Sequence, residues 1–144
     1  MVTIDSGIDF DFPASWQHFK QGKQCIFQSP KREEVVISAY SMTPVMASPD
    51  RSHYLDQLFQ NGLEAARKGA AQPALRITKA LAEDRNASRL PCWTVLAETE
   101  AKDGFFAQAV IRYTRGAVFL TYEAPFIEGA EKTFRDLLKM IHES

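Results

Sequence analysis

Residues 92–123 constrain this chain most, because they read as an antiparallel meander. Cys92–Thr99, Phe105–Tyr113 and Ala117–Glu123 are dense in β-branched, aromatic and small apolar residues. Lys102-Asp103-Gly104 and Thr114-Arg115-Gly116 supply tight turns between them. In the last strand Val118, Leu120 and Tyr122 point one way, and Ala117, Phe119 and Thr121 the other. Both faces carry apolar side chains, so both need a cover.

Two helices are available to supply it. Ser48-Pro49-Asp50 combines a capping serine, a proline suited to the first helical position and an acid at the positive end of the dipole. Leu55, Leu58, Phe59, Gly62, Ala65 and Ala66 then recur at helical spacing, with Gly69 and Pro73 as stop signals. Gly62 on the apolar stripe predicts close packing against a sheet. A second helix follows from Ala130, Phe134, Leu137, Leu138 and Ile141, with Glu128 and Glu131 at its start and Lys139 and His142 at its end. Between the helices Ala74–Ala82 adds one more strand before the meander.

The first forty residues add three strands. Val2–Phe12 reads as one, stopped by Phe12-Pro13-Ala14-Ser15-Trp16. Gln24–Gln28 and Val35–Tyr40 follow, joined by Ser29-Pro30-Lys31-Arg32-Glu33-Glu34. The expected class is α+β: an antiparallel β-sheet flanked by two helices, in the order βββ-α-ββββ-α, as one domain over 1–144. At 144 residues and 45% hydrophobic content, such a domain fills a core without disulfides or metal.

Charge narrows the function classes. A net charge of −1 lacks the basic excess of a nucleic-acid binder. The first residues, Met1-Val2-Thr3-Ile4-Asp5, show neither a basic segment nor an apolar one, and no apolar run reaches the ~18 residues of a membrane span. A cytoplasmic protein is therefore expected. Cys25 and Cys92 lie in apolar strand-like runs and read as buried thiols.

Motifs for chemistry are scarce. His18, His53 and His142 lack metal-ligand spacing, and the seven glycines form no phosphate loop. No nucleophile elbow occurs. Asp9 and Asp11 alternate on one strand face, which polar-out, apolar-in patterning explains as well as acid–base work. Glu33-Glu34 beside Lys31-Arg32 reads as a solvated hairpin tip, and Trp16 and Trp93 read as core. No catalytic residue, metal or cofactor is expected.

One connection is unusually apolar. Tyr40-Ser41-Met42-Thr43-Pro44-Val45-Met46 joins a strand to the first helix, and methionine suits surfaces that accept varied apolar partners. Tyr40, Met42, Val45 and Met46 are the candidate partner-binding residues. The competing reading is that Met42, Val45 and Met46 plug the end of the sheet.

The element order, with Phe12-Pro13-Ala14-Ser15-Trp16 ending the first strand, resembles the PsbP/Mog-like α/β sandwich group. That group includes the DcrB-like proteins and the Eag chaperones of type VI secretion. Val118-Phe119-Leu120-Thr121-Tyr122-Glu123 leading into a helix with Phe134 fits the group's ending. The resemblance implies a non-enzymatic binder: a cytosolic adaptor or chaperone that engages a protein partner, an apolar client segment or a second copy of itself. The alternative is a small-ligand binder or small enzyme whose residues converge from separate strands, with Glu98, Gln108, Arg112 and Tyr122 as candidates.

Overall fold

The structure, a computed structural model, describes residues 1–5, 7–41 and 48–144, with side chains in the first helix described from residue 53 onward. Its strands are β1 (Val2–Asp5), β2 (Ile8–Phe10), β3 (Gln17–Gln21), β4 (Gln24–Gln28), β5 (Glu34–Ser41), β6 (Leu75–Glu83), β7 (Cys92–Thr99), β8 (Phe105–Tyr113), β9 (Gly116–Ala124) and β10 (Ile141–Glu143). Helix α1 (Ser48–Ala70) lies between β5 and β6, and α2 (Ala130–Leu138) between β9 and β10. The α+β class holds, with an antiparallel sheet flanked by two helices. The strands before α1 number more than expected, and one more follows α2.

Seven strands form the main sheet in the order β3-β4-β5-β9-β8-β7-β6, and every pairing is antiparallel. The predicted meander is its centre: Ile111 opposes Val118 and Ala109 opposes Leu120. A small second sheet, β1-β2-β10, is also antiparallel.

The two faces of the main sheet are filled unequally. On the inner face Phe27, Ile37, Ile111, Val118, Leu120 and Tyr122 pack with Phe134, Leu137 and Leu138 of α2 and with Ile8, Phe10 and Ile141 of the small sheet. The Phe10 and Phe27 rings meet edge to face, 4.9 Å between centroids. On the outer face α1 lays Phe59, Ala66 and Ala70 over Val95, Ala97, Phe106 and Val110. Gly62 makes the expected close approach: a Cβ there would overlap the Phe119 ring.

Four expectations need correction. Val2–Phe12 is not one strand, because Gly7 at φ +90° turns the chain and folds β2 back on β1. Asp9 is then buried in β2, accepting from the Ser144 hydroxyl at 2.8 Å, while exposed Asp11 lies beyond the strand. β3 is an unforeseen edge strand whose sequence, Gln-His-Phe-Lys-Gln, carries almost no apolar alternation. Finally, α2 ends at Leu138, where Lys139 caps it and the Met140 N–H bonds the Leu137 carbonyl. Ile141 and His142 therefore belong to β10, and His142 Nε2 meets Asp11 at 2.9 Å rather than a helix terminus.

Candidate binding site

Strand parity decides what the outer face offers. Cys25, Phe27, Val35 and Ile37 point inward, so Ile26 and Val36 point outward. Register places Phe19 opposite Ile26, Ile26 opposite Val36, and Val36 opposite Thr121. This row starts on the edge strand β3, crosses β4 and β5, and reaches α1, seated over β6 to β9, at Thr121. Ile26 is buried yet belongs to neither core, and Phe19 stays 45% exposed. Gln17, Gln21, Gln24, Gln28 and Ser38 share the same face, and acidic Glu34 and Glu123 pair at one end. Along the other margin Tyr40, 38% exposed, tilts against Phe119 with centroids 5.4 Å apart.

Tyr40 is thus an exposed aromatic against Phe119, which itself packs beneath α1 at Gly62. Met42, Val45 and Met46 lie outside the described residues.

The candidates of the alternative reading do not converge. Gln108 and Arg112 sit on the outer face, Glu98 and Tyr122 on the inner one. Glu98 pairs with Arg76 at 3.1 Å, and Arg112 reaches Asp56 at 2.8 Å above the Phe59 ring. Gln108 Nε2 donates to Thr121 at 3.2 Å beneath α1. Among the described residues, no three His, Cys, Asp or Glu side chains gather as a metal site. Cys25 and Cys92 are buried free thiols, and burial pushes the Cys92 thiol up to about 12.

A second feature lies on the α2 side. The turn through Pro13 and Trp16, the β4–β5 hairpin at Ser29–Glu33 and the last turn of α2 enclose a groove of about 330 Å³. Trp16 is half-buried in its wall rather than in the core. The Asp11 N–H to Met140 carbonyl bond, at 3.0 Å, ties the turn to the helix end. Glu33 is the side chain that sequence reasoning misplaced. It is 5% exposed, accepts hydrogen bonds from the Tyr122 and Ser29 hydroxyls, and lines the groove instead of capping a solvated tip. Burial, followed by the hydrogen bond and charge of Glu33, drives the Tyr122 hydroxyl far above its ordinary range. The sequence signal was Tyr122 itself: an inward tyrosine needs a buried acceptor. Only the fold says which.

No protein-family model matches this chain, and no curated protein matches it by sequence. Solved structures do match in shape. LpqN of Mycobacterium tuberculosis, described as involved in cell envelope biogenesis, is 13% identical with a TM-score of 0.55, covering 97% of this chain and 86% of that one. PsbP of the cyanobacterium Synechocystis (CyanoP) is 10% identical with a TM-score of 0.52, over 96% of this chain and 87% of that one. The Ran-binding protein Mog1p of Saccharomyces cerevisiae is 12% identical with a TM-score of 0.50, over 94% and 89%. A Bacteroides thetaiotaomicron structure matches 99% of this chain at 13% identity and a TM-score of 0.58, but the chain spans only about half (47%) of its length. At these identities the likeness is one of architecture, and the architecture is the PsbP/Mog-like α/β sandwich.

Proposed function

We propose that this chain is a non-catalytic binding domain, a cytoplasmic adaptor or chaperone that engages a protein partner through the outer sheet face beside Tyr40. The observation that carries the reading is the Phe19–Ile26–Val36 row, which belongs to neither core among the described residues and whose edge member, Phe19, is exposed like Tyr40 on the same face. Protein interfaces deplete charge and enrich aromatic residues; here the middle of the row, Ile26 and Val36, is apolar, and Phe19 and Tyr40 stand at its margins. The face runs on through Tyr40 to the end of β5 at Ser41; in this reading Met42, Val45 and Met46, which follow in the chain outside the described residues, would add to the contact with a client's apolar segment. A second copy of the chain could use the same face. The fold likeness to a Ran-binding protein accords with partner binding, and a role beside type VI secretion is the finer form of the same proposal.

The test compares wild type with Phe19→Gln/Tyr40→Gln in recovery of cross-linked partners from the source cell. The variant should keep the wild-type melting temperature and lose the partner. Ile77→Gln, on the opposite sheet edge, should retain it. A partner held equally by all three proteins would place the interface elsewhere.

A further inference from the structure

A buried carboxylate ordinarily has a counter-charge, because desolvating an anion is costly. Glu33 is buried, and its partners are two neutral hydroxyls, those of Tyr122 and Ser29. Among the described residues no Lys, Arg or His lies within ion-pair distance of it. Lys31 lines the same groove on the exposed side of the hairpin without reaching it. Asp136, also in the lining, forms an exposed ion pair with Lys132 at 2.8 Å. Trp16, Pro13, Leu137 and Met140 supply the apolar and aromatic part of the same lining.

We infer that this groove receives an arginine side chain of a partner protein, with its guanidinium on Glu33 and its stem against Trp16 and Met140. Three features select that occupant. The volume of about 330 Å³ holds one long side chain rather than a helix or strand. A carboxylate gives its strongest hydrogen bonds to the planar guanidinium fork, and Glu33 keeps lone pairs beyond the two already used. An indole wall favours a guanidinium over an ammonium through stacking and weaker hydration. The site lies on the α2 side, opposite the outer face, and does not depend on the reading of that face.

The test titrates N-acetyl-arginine amide into isotope-labelled protein and follows the Trp16 indole and Met140 methyl signals by NMR. Saturable shifts at millimolar probe are expected from arginine. N-acetyl-citrulline amide, its neutral isostere, should produce none, because the charge-assisted bond is worth about tenfold or more in affinity. Glu33→Gln should weaken arginine binding by the same factor. Lys31→Gln should tighten it about threefold, by removing a competing cation near the groove; this variant carries the test if Glu33→Gln does not fold. n-Butylguanidine, which has the guanidinium and the same single charge but no peptide groups, should bind more weakly than the amide. Equal response to arginine and citrulline, an unchanged or weaker Lys31→Gln, or butylguanidine binding more tightly would each overturn the proposal, the last by making the site one for a free cation.

Discussion

The two faces of one sheet teach different lessons here. The inner face is deep: α2 and the small sheet close over it, and Tyr122, Phe134, Phe10 and Phe27 are all excluded from water. The outer face is thin. α1 meets it with Phe59 and Leu63 among small residues, Gly62, Ala66 and Ala70, so the helix lies close but contributes less apolar area than the inner layer. On the edge strand β3, Phe19 of the same face stays exposed, while Ile26 on β4 is buried. Since burial stabilises in proportion to area removed from water, the fold rests on the inner layer. The outer layer is left to act as a surface.

The same substitution on each face gives the sharpest contrast. Phe134→Ala should cost about 3–5 kcal/mol, the full price of a large cavity in a closed core. Phe59→Ala, beneath α1 and edge-on to Trp93 at 4.5 Å, should cost clearly less, about 1–3 kcal/mol, because α1 can settle into the gap. Urea unfolding followed by circular dichroism would measure both. Equal losses would mean the two layers contribute alike and would break the contrast.

Close approach can be tested from the opposite direction, by adding volume. Gly62→Val would drive a side chain into the Phe119 ring and should cost about 1–3 kcal/mol. Phe119→Ala in the same chain should recover part of that loss, since the two residues share one contact. Strictly additive losses would show that α1 shifts as a body and that the Gly62 contact is not specific.

What could be read beforehand follows the same division. The meander and α1 were legible because alternation and capping signals act locally: Val118, Leu120 and Tyr122 turned inward as their spacing required. Phe134, Leu137 and Leu138 likewise marked the face of α2. β3 was not legible, since it covers its inner side with His18 stacked on Phe27 rather than with apolar alternation. Ile141 fitted the helical period but is held by pairing with Phe10, a partner 131 positions away in the chain (141 − 10). Glu33 was misread for a similar reason. Its burial comes from Tyr122 across the register, and nothing around Ser29–Glu34 announces it.

That small sheet is also where falling pH should weaken the fold. The Ser144 hydroxyl, chiefly, holds the Asp9 carboxyl below its ordinary 3.8, and the Thr114 N–H and hydroxyl hold Glu143 below 4.5. Both folded values lie below the unfolded ones, so this stabilisation is complete above the ordinary carboxylate range. It is lost as pH falls through the depressed folded values. Urea midpoints measured from neutral pH down to about 2 should therefore drop less steeply for Asp9→Asn/Glu143→Gln than for wild type. Identical acid limbs would show that other carboxylates govern acid unfolding.

The smallest effect belongs to the open part of the outer face. Phe19 packs over Ile26 across the β3–β4 pair but remains 45% exposed, so Phe19→Gln forfeits little burial. Its stability change should stay within about 0.5 kcal/mol, as for most surface substitutions. Ile26 should then become more exposed, and dye binding at that face should rise while the melting curve does not move. Such a separation is what a surface retained for binding predicts: the ring shields Ile26 in the free protein without supporting the fold. A loss of 2 kcal/mol or more, of the size of a core truncation, would make Phe19 part of a third core instead. The outer face would then be structural along its whole width, and the contrast between the two layers would fail where it matters most.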